Sequence, residues 1–292
     1  MSIYKTLKFV LNHPLNQNRK LAAFWVLVKW FINIKINPYP VIVPYAERSH
    51  FIMQKGLTGA TGNLFCGLHE FQDMAFLLHF LRSADMFVDI GANVGSYTIL
   101  GAGERKAKTI SFEPIPETFK ILESNILINR INDRVTALNI GLGATKGTLE
   151  FTKSQGPVNH VATENEKDTI SVAVEVFDDI IKIERPALIK IDVEGFETEV
   201  LKGMTMALVN DNLKAIIIEL NGSGKRYGYD DAQIHKNFLL NGFTPFQYDP
   251  FKRKLHQLEN HGSENTIYIK DLMFVQNRID EAKKIKIHNM EF

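Results

Sequence analysis

Residues 87–98 read F-V-D-I-G-A-N-V-G-S-Y-T and put an acid and two glycines where a strand should turn into a helix. Gly91 and Gly95 allow a tight turn and close backbone approach to a ligand. The helix that follows presents unpaired N–H groups at its start. Asp89 ends an otherwise apolar run, and buried acids are rare unless paired. Glu113 closes the next apolar run, 18 residues beyond Gly95. An acid roughly 20 residues after such a loop, at the tip of the next strand, can accept hydrogen bonds from ribose hydroxyls. The constellation points to an adenosine-type cofactor.

The loop spacing narrows the choice. Gly91-x-Asn93-x-Gly95 lacks the G-x-G-x-x-G pattern that lets a backbone approach a pyrophosphate, and no G-x-x-x-x-G-K-[ST] run is present. S-adenosyl-L-methionine has no phosphate and carries a cationic sulfonium, and an acid such as Asp89 suits its charged amino group. It is favoured over a nicotinamide cofactor.

Two further segments carry acids at strand ends. In A-L-I-K-I-D-V-E-G-F-E-T-E-V-L-K-G, residues 187–203, strand alternation puts Lys190 and Asp192 on one face. Asp192 falls at the carboxyl end, where open α/β sheets place their ligands. Glu194 stands at the turn into the next helix, and Glu197 and Glu199 read as solvated helix residues. Either Lys190 and the carboxylates anchor the turn, or they do chemistry. In A-I-I-I-E-L-N-G, residues 215–222, Glu219 and Asn221 share a face at the carboxyl end. They read as loop caps, or as groups facing the substrate. Together with Asp192 they would also suit magnesium or calcium, but the expectation adopted is no metal. The nine histidines show no H-E-x-x-H spacing, and His160 reads as a solvated loop residue.

Short apolar runs must position these groups: 86–90, 109–112, 135–140, 187–191 and 215–220. Helical segments over 95–104 and 117–129 alternate with them. Apolar strands alternating with helices predict a parallel sheet covered on both faces, an α/β Rossmann-like architecture. Residues 147–151 and 170–176 read as a strand insertion near 145–176, before the fourth core strand. Residues 242–248 and 266–270 read as a terminal hairpin. Residues 1–80 read as an N-terminal helical cap on a domain over 81–292. In the cap, a helix over 19–34 has Leu21, Phe24, Trp25, Val28, Phe31 and Ile32 at core spacing. A short hairpin spans 41–54, 56–63 is a glycine-rich loop, and a helix covers 70–81.

Composition excludes several classes. The chain is 45% apolar and 23% charged, an ordinary globular balance. Cys66 is the only cysteine, so neither an intrachain disulfide nor a cysteine-rich zinc site is open to it. Net charge is +1, but residues 1–55 hold eight Lys or Arg and one acid. No secretory leader is read at the start, and a cytoplasmic location is expected. Residues 19–34 carry both tryptophans with Lys20 and Lys29. That helix packs on the catalytic part or lies peripherally on a membrane.

The segments F-V-D-I-G-A-N-V-G-S-Y, S-F-E-P-I-P-E-T-F, I-K-I-D-V-E-G-F-E-T-E-V-L-K-G and I-I-I-E-L-N, in that order over residues 68–222, resemble the FkbM family of S-adenosylmethionine-dependent methyltransferases. The resemblance implies a seven-stranded Rossmann-like sheet with an antiparallel last hairpin. It implies O-methylation of a hydroxyl on a sugar, glycan or secondary metabolite. By position, Asp89, Gly91, Asn93 and Gly95, with Ser96 and Tyr97, would form the cofactor loop. Glu113 would hold the ribose, and Asn139 to Gly141 would lie near the adenine. Asp192 and Glu194 would face the methyl-transfer site, with Lys190 keeping the carboxylate ionised. Glu219, Asn221, Arg226 and Tyr227 fall where such enzymes build the acceptor pocket. Glu70 stands where family members often carry a Glu.

Rival readings are weaker. A nucleic-acid methyltransferase would commonly show [DN]-P-P-[YFW] where D-V-E-G stands, or a Pro-Cys nucleophile. The near-neutral charge gives no broad basic face. A nicotinamide oxidoreductase is a second rival, disfavoured by the loop spacing, and a cofactor-binding scaffold that has lost its chemistry is a third, non-enzymatic one.

Overall fold

Met86–Ile90 (β1) is apolar but for Asp89, and every residue of it is buried. Such a run can only sit in the middle of a sheet covered on both sides. In the computed structural model, which describes residues 3–292 and gives Thr58 and Gly59 by backbone alone, it does. Lys108–Phe112 (β2) and Val135–Leu138 (β3) follow on one side. Leu188–Ile191 (β4) and Ala215–Glu219 (β5) lie on the other. These five are parallel. Thr244–Asp249 (β6), Lys254–Gln257 (β7) and Asn265–Ile269 (β8) complete the sheet. The spatial order is β7-β6-β8-β5-β4-β1-β2-β3. β8 runs antiparallel between β5 and β6.

The sheet therefore has eight strands, not seven. The extra edge strand, Lys254–Gln257, pairs antiparallel with β6 and has one buried residue, Leu255. Four residues with one inward side chain leave almost no alternation to read. Chain order reverses between β1 and β4, the switch point at which open α/β sheets bind ligands beyond the carboxyl ends of their strands.

The insertion forms a small sheet of Gly141–Leu142, Gly147–Thr152 and Thr169–Glu175, with the last in the middle. The segment after β1 is helical over Ser96–Ile99 and then widens into a π-helical turn over Leu100–Glu104.

The first 80 residues hold helices Ile3–Asn12, Lys20–Ile36, Thr58–Cys66 and Phe71–Phe80 and the hairpin of Val41–Tyr45 with Ser49–Met53. Their apolar side chains, among them Val10, Leu15 and Phe76, belong to the same buried cluster as Phe87, Leu188 and Ile267 of the sheet. Two readings of this region are corrected. The glycine-rich run 56–63 enters a helix at Thr58, held by Asn63, whose carboxamide donates to Ser96 Oγ and accepts from His69 N–H. Helix Lys20–Ile36 turns Ala23, Leu27 and Trp30 inward, whereas Leu21, Trp25 and Ile32 are exposed. Both faces of that helix are apolar, so spacing alone could not choose between them. Among the described residues no helix is long and apolar enough to cross a membrane.

Candidate active site

The loop after β1 is built by backbone necessity. Gly91, Asn93 and Gly95 all take positive φ, at 78°, 50° and 96°. A Cβ on Gly91 would lie 1.7 Å from the carbonyl oxygen of Asp192, so only glycine lets β1 and β4 end side by side. Gly91 and Ala92 N–H both donate to the Phe112 carbonyl, which fastens the loop to β2.

Glu113 is buried and its two oxygens are used separately. Oε2 accepts from Asn93 N–H and Oε1 from Ile115 N–H, each at 2.9 Å. Burial raises its pKa to about 7 against those two bonds. Each oxygen keeps lone-pair capacity for a ligand hydroxyl.

A cavity open to solvent lies over the carboxyl ends of β1, β2 and β4. Its apolar wall includes Ile115, Ile140, Leu142 and Phe151. Its charged groups are Glu113, Asp192 and Glu194, and neither Lys nor Arg lines it. Gly91, Asn93 and Gly141 line it.

Other expected residues stand behind the cavity. Asp89 is 2% exposed and accepts from Thr98 Oγ1 at 2.6 Å. Burial raises its pKa to about 6. It braces the loop and helix from within. Gly95 caps that helix. Ser96 accepts from Asn63, and Tyr97 donates to Glu70 at 2.5 Å. The Asn139 carboxamide donates to the Glu113 and Pro114 carbonyls and is not part of the cavity wall.

Beside the cavity lies a charged cluster. Lys190 is 1% exposed. Its Nζ donates to Asp192 Oδ2 at 3.1 Å and to Asn265 Oδ1 at 3.3 Å, and stands 5.3 Å from the centre of the Tyr97 ring. Burial opposes its charge, but Asp192, Glu70 and Glu219 outweigh burial and hold the ammonium protonated. Carboxylate oxygens of Asp192, Glu194 and Glu219 lie within 4.8 Å of one another. Burial, with Asp192 nearby, raises Glu194 to about 7 and lifts Glu219 well above the carboxylate range. Three acids around one lysine give a site that can hold or release a proton near neutrality. The same oxygens are hard donors of the kind divalent cations take.

Acceptor-side expectations divide. Glu219 joins the cluster. Asn221 is exposed and accepts from Ser223 N–H, a loop cap. Arg226 is exposed, 5.9 Å from the Tyr227 ring, and its charge partly offsets the rise at Glu194. Tyr227 donates to the Val161 carbonyl at 2.6 Å and packs edge-on to Phe196, tying the insertion to the cavity rim.

Two residues read as solvated are not. Glu197 is 3% exposed, and its Oε1 accepts from Val193 and Gly195 N–H. It holds the turn that places Glu194, itself at φ 55°. His160 is buried, its ring held by the Val158 carbonyl and Glu166. Gly156, Pro157 and Asn159 of the insertion and Phe196 after β4 also line the cavity. A glycine and a proline in a loop gave no chemical signal, whereas an acid three residues after Glu194 was a signal for a turn-bracing carboxylate.

The profile described as the methyltransferase FkbM domain matches residues 89–245, more than half of the chain. The chain belongs to the FkbM methyltransferase family. Among curated relatives, the hexuronic acid methyltransferase AglP of Haloferax volcanii is 31% identical over 163 residues, 55% of this chain and 64% of that protein. Methyltransferase sdnD of Sordaria araneosa is 29% identical over 170 residues, 46% of this chain and 66% of that protein. The chain thus spans just under two thirds of the length of each of these relatives. Among solved structures, a putative rRNA methylase from Clostridium thermocellum has a TM-score of 0.42 at 11% identity, covering 68% of this chain and 92% of that one. In this FkbM chain the matched stretch begins at Asp89 and takes in the cofactor loop, Glu113 and the Lys190–Asp192–Glu194–Glu219 cluster.

Proposed function

We propose that the chain transfers a methyl group from S-adenosyl-L-methionine to a hydroxyl oxygen of a sugar, glycan or hydroxylated secondary metabolite. The observation that carries the cofactor is the charge of the cavity: three carboxylates and neither Lys nor Arg in its lining. A pyrophosphate would be repelled there, whereas a cation is favoured. Glu113 suits the ribose, the apolar wall suits a base, and Gly91 keeps the loop clear of Asp192. When bound, the cofactor supplies an electrophilic methyl group on a sulfonium.

The rest is work for the chain's own side chains. An alcohol is a weak nucleophile while protonated, so a base must take its proton as the new bond forms. Asp192 is that base. Lys190 pairs with it, Glu194 and Glu219 surround the acceptor hydroxyl, and Arg226 and Tyr227 stand at the rim. Holding the acceptor oxygen in line with the reacting carbon supplies most of the acceleration. The same carboxylates argue against a nucleic acid, whose backbone needs cations. The curated relative named for hexuronic acid supports a sugar acceptor.

Calorimetric titration with S-adenosylmethionine and, separately, NAD tests the reading. Saturable binding of the first alone is expected. Tight NAD binding, or no binding of either to folded protein, rejects it. Binding with no transfer to any of a panel of sugar acceptors would favour the inactive scaffold.

A further inference from the structure

A second cavity, of about 550 Å³, lies between the N-terminal helices, helix Thr58–Cys66 and the turn after Met53. Its walls are Phe9, Trp30, Phe31, Ile34, Leu57 and Phe65, with Lys55, His69 and Glu264 among its few charged or ionisable groups. Concave, mostly apolar space of this size with a few polar groups is of the kind that takes a small ligand.

Its position gives it a role. His69 and Glu264 line it, and the next residue of each belongs to the charged cluster. Glu70 accepts from Tyr97, whose ring faces Lys190, and Asn265 accepts from Lys190 itself. The cluster is therefore linked to both cavities: Asp192 and Glu194 line the cofactor cleft, and the chain neighbours of Glu70 and Asn265 line this apolar one. His69 is fixed in the wall of the apolar cavity. Its N–H donates to Asn63, and Gly62 makes room for its ring, since a Cβ there would lie 2.1 Å from it.

We infer that this cavity receives an apolar aliphatic chain of the methyl acceptor while the hydroxyl to be methylated sits at Asp192 and Glu219. The inference rests on the methyltransferase reading and adds that the acceptor is an amphiphile. The chain is long rather than a single ring, because the space exceeds what one ring fills. The cofactor has no claim on it, since Glu113, Gly91 and Gly141 all line the other cleft.

The test uses hexyl, heptyl and octyl β-D-glucosides below their micelle concentrations, read by the fluorescence of Trp30 in a Trp25→Phe background and by calorimetry. Burying each added CH₂ should tighten binding about fourfold, so octyl should bind on the order of 15 times more tightly than hexyl. Ile34→Glu and Leu57→Glu, on two different walls, should each weaken octyl glucoside at least about tenfold while S-adenosylhomocysteine binds as before. Binding that ignores chain length, leaves Trp30 unperturbed or survives both substitutions overturns the inference, whatever the cofactor does. If S-adenosylhomocysteine fails to bind the parent chain, the methyltransferase reading fails instead. The chain-length series decides the matter without either variant.

Discussion

Asp192 and Glu197 show two uses of a carboxylate within one turn, and each has its own test. Asp192 faces the cavity beside a protonated lysine, so Asp192→Asn should cut turnover by about 10²-fold or more while the calorimetric affinity for S-adenosylhomocysteine changes little. Equal losses in both would make it a binding residue. Asp192, Glu194 and Glu219 lie close enough to share one proton, and because Glu194 is raised to about 7 and Glu219 is raised as well, the acid limb of kcat/KM should lie near pH 7. For ordinary carboxylates it would fall between pH 4 and 5. Glu197 touches no ligand space but is also raised to about 7 by burial. Its folded pKa exceeds its unfolded one, so the stability it contributes is full below about pH 4.5 and is lost as pH rises through about 7. Glu197→Gln keeps an oxygen for the Val193 and Gly195 N–H groups and removes the charge. The parent should lose melting temperature between pH 5.5 and 8.5, and the variant should lose less, by the equivalent of roughly 2–3 kcal/mol at most. Identical slopes in thermal melts would show that Glu197 does not carry that pH dependence.

At the scale of elements, the insertion lines the cleft, packs on Ile115 and Phe196, and is hydrogen-bonded to the segment after β5 by Tyr227. Tyr227, eight residues beyond the end of β5, reaches the Val161 carbonyl, and Val161 bridges Phe151 of the cleft wall. Tyr227→Phe keeps the ring against Phe196 and deletes the hydrogen bond, a loss of about 1 kcal/mol. Amide exchange over residues 156–162 should quicken, and the S-adenosylhomocysteine dissociation constant should rise by roughly three- to tenfold. Unchanged exchange and affinity would mean that the insertion is held elsewhere. How much of this was legible in sequence depended on which signal each element carried. β1, β2, β4 and β5 are buried on both faces, and their continuous apolar runs gave them away to within a residue. Acids at the ends of those runs revealed Glu113, Asp192 and Glu219 for the same reason. Helix Thr58–Cys66 was illegible because its glycines argue for a loop, while Asn63 and the packing of His69 on Gly62 hold it helical. Asp89 was legible as a buried acid but not as a brace, since nothing in a sequence says that Thr98 folds back onto it.

For the whole molecule, the uneven charge and the N-terminal helices belong to one argument. Residues 1–55 carry eight basic residues against one acid. The outer face of helix Lys20–Ile36 exposes Leu21 at 73%, Trp25 at 53%, Ile32 at 53% and Ile36 at 76%, with Lys20, Lys29 and Lys35 exposed among them. That spacing is one continuous helical stripe, and a surface that covered it would have to be apolar and negatively charged. A second copy of the chain meeting face to face would set like lysines against each other, whereas an anionic lipid surface satisfies both demands. The full chain is expected to co-sediment with phosphatidylcholine vesicles containing phosphatidylglycerol, to leave pure phosphatidylcholine vesicles unbound, and to be released by salt. Trp25→Ser with Ile32→Ser should abolish binding, as should reversing Lys20, Lys29 and Lys35 to Glu. All five side chains are exposed, so the fold and the cofactor affinity should stand. Vesicle binding indifferent to either set of changes, or a dimer in gel filtration that the serine pair dissolves, would give that face to something other than lipid.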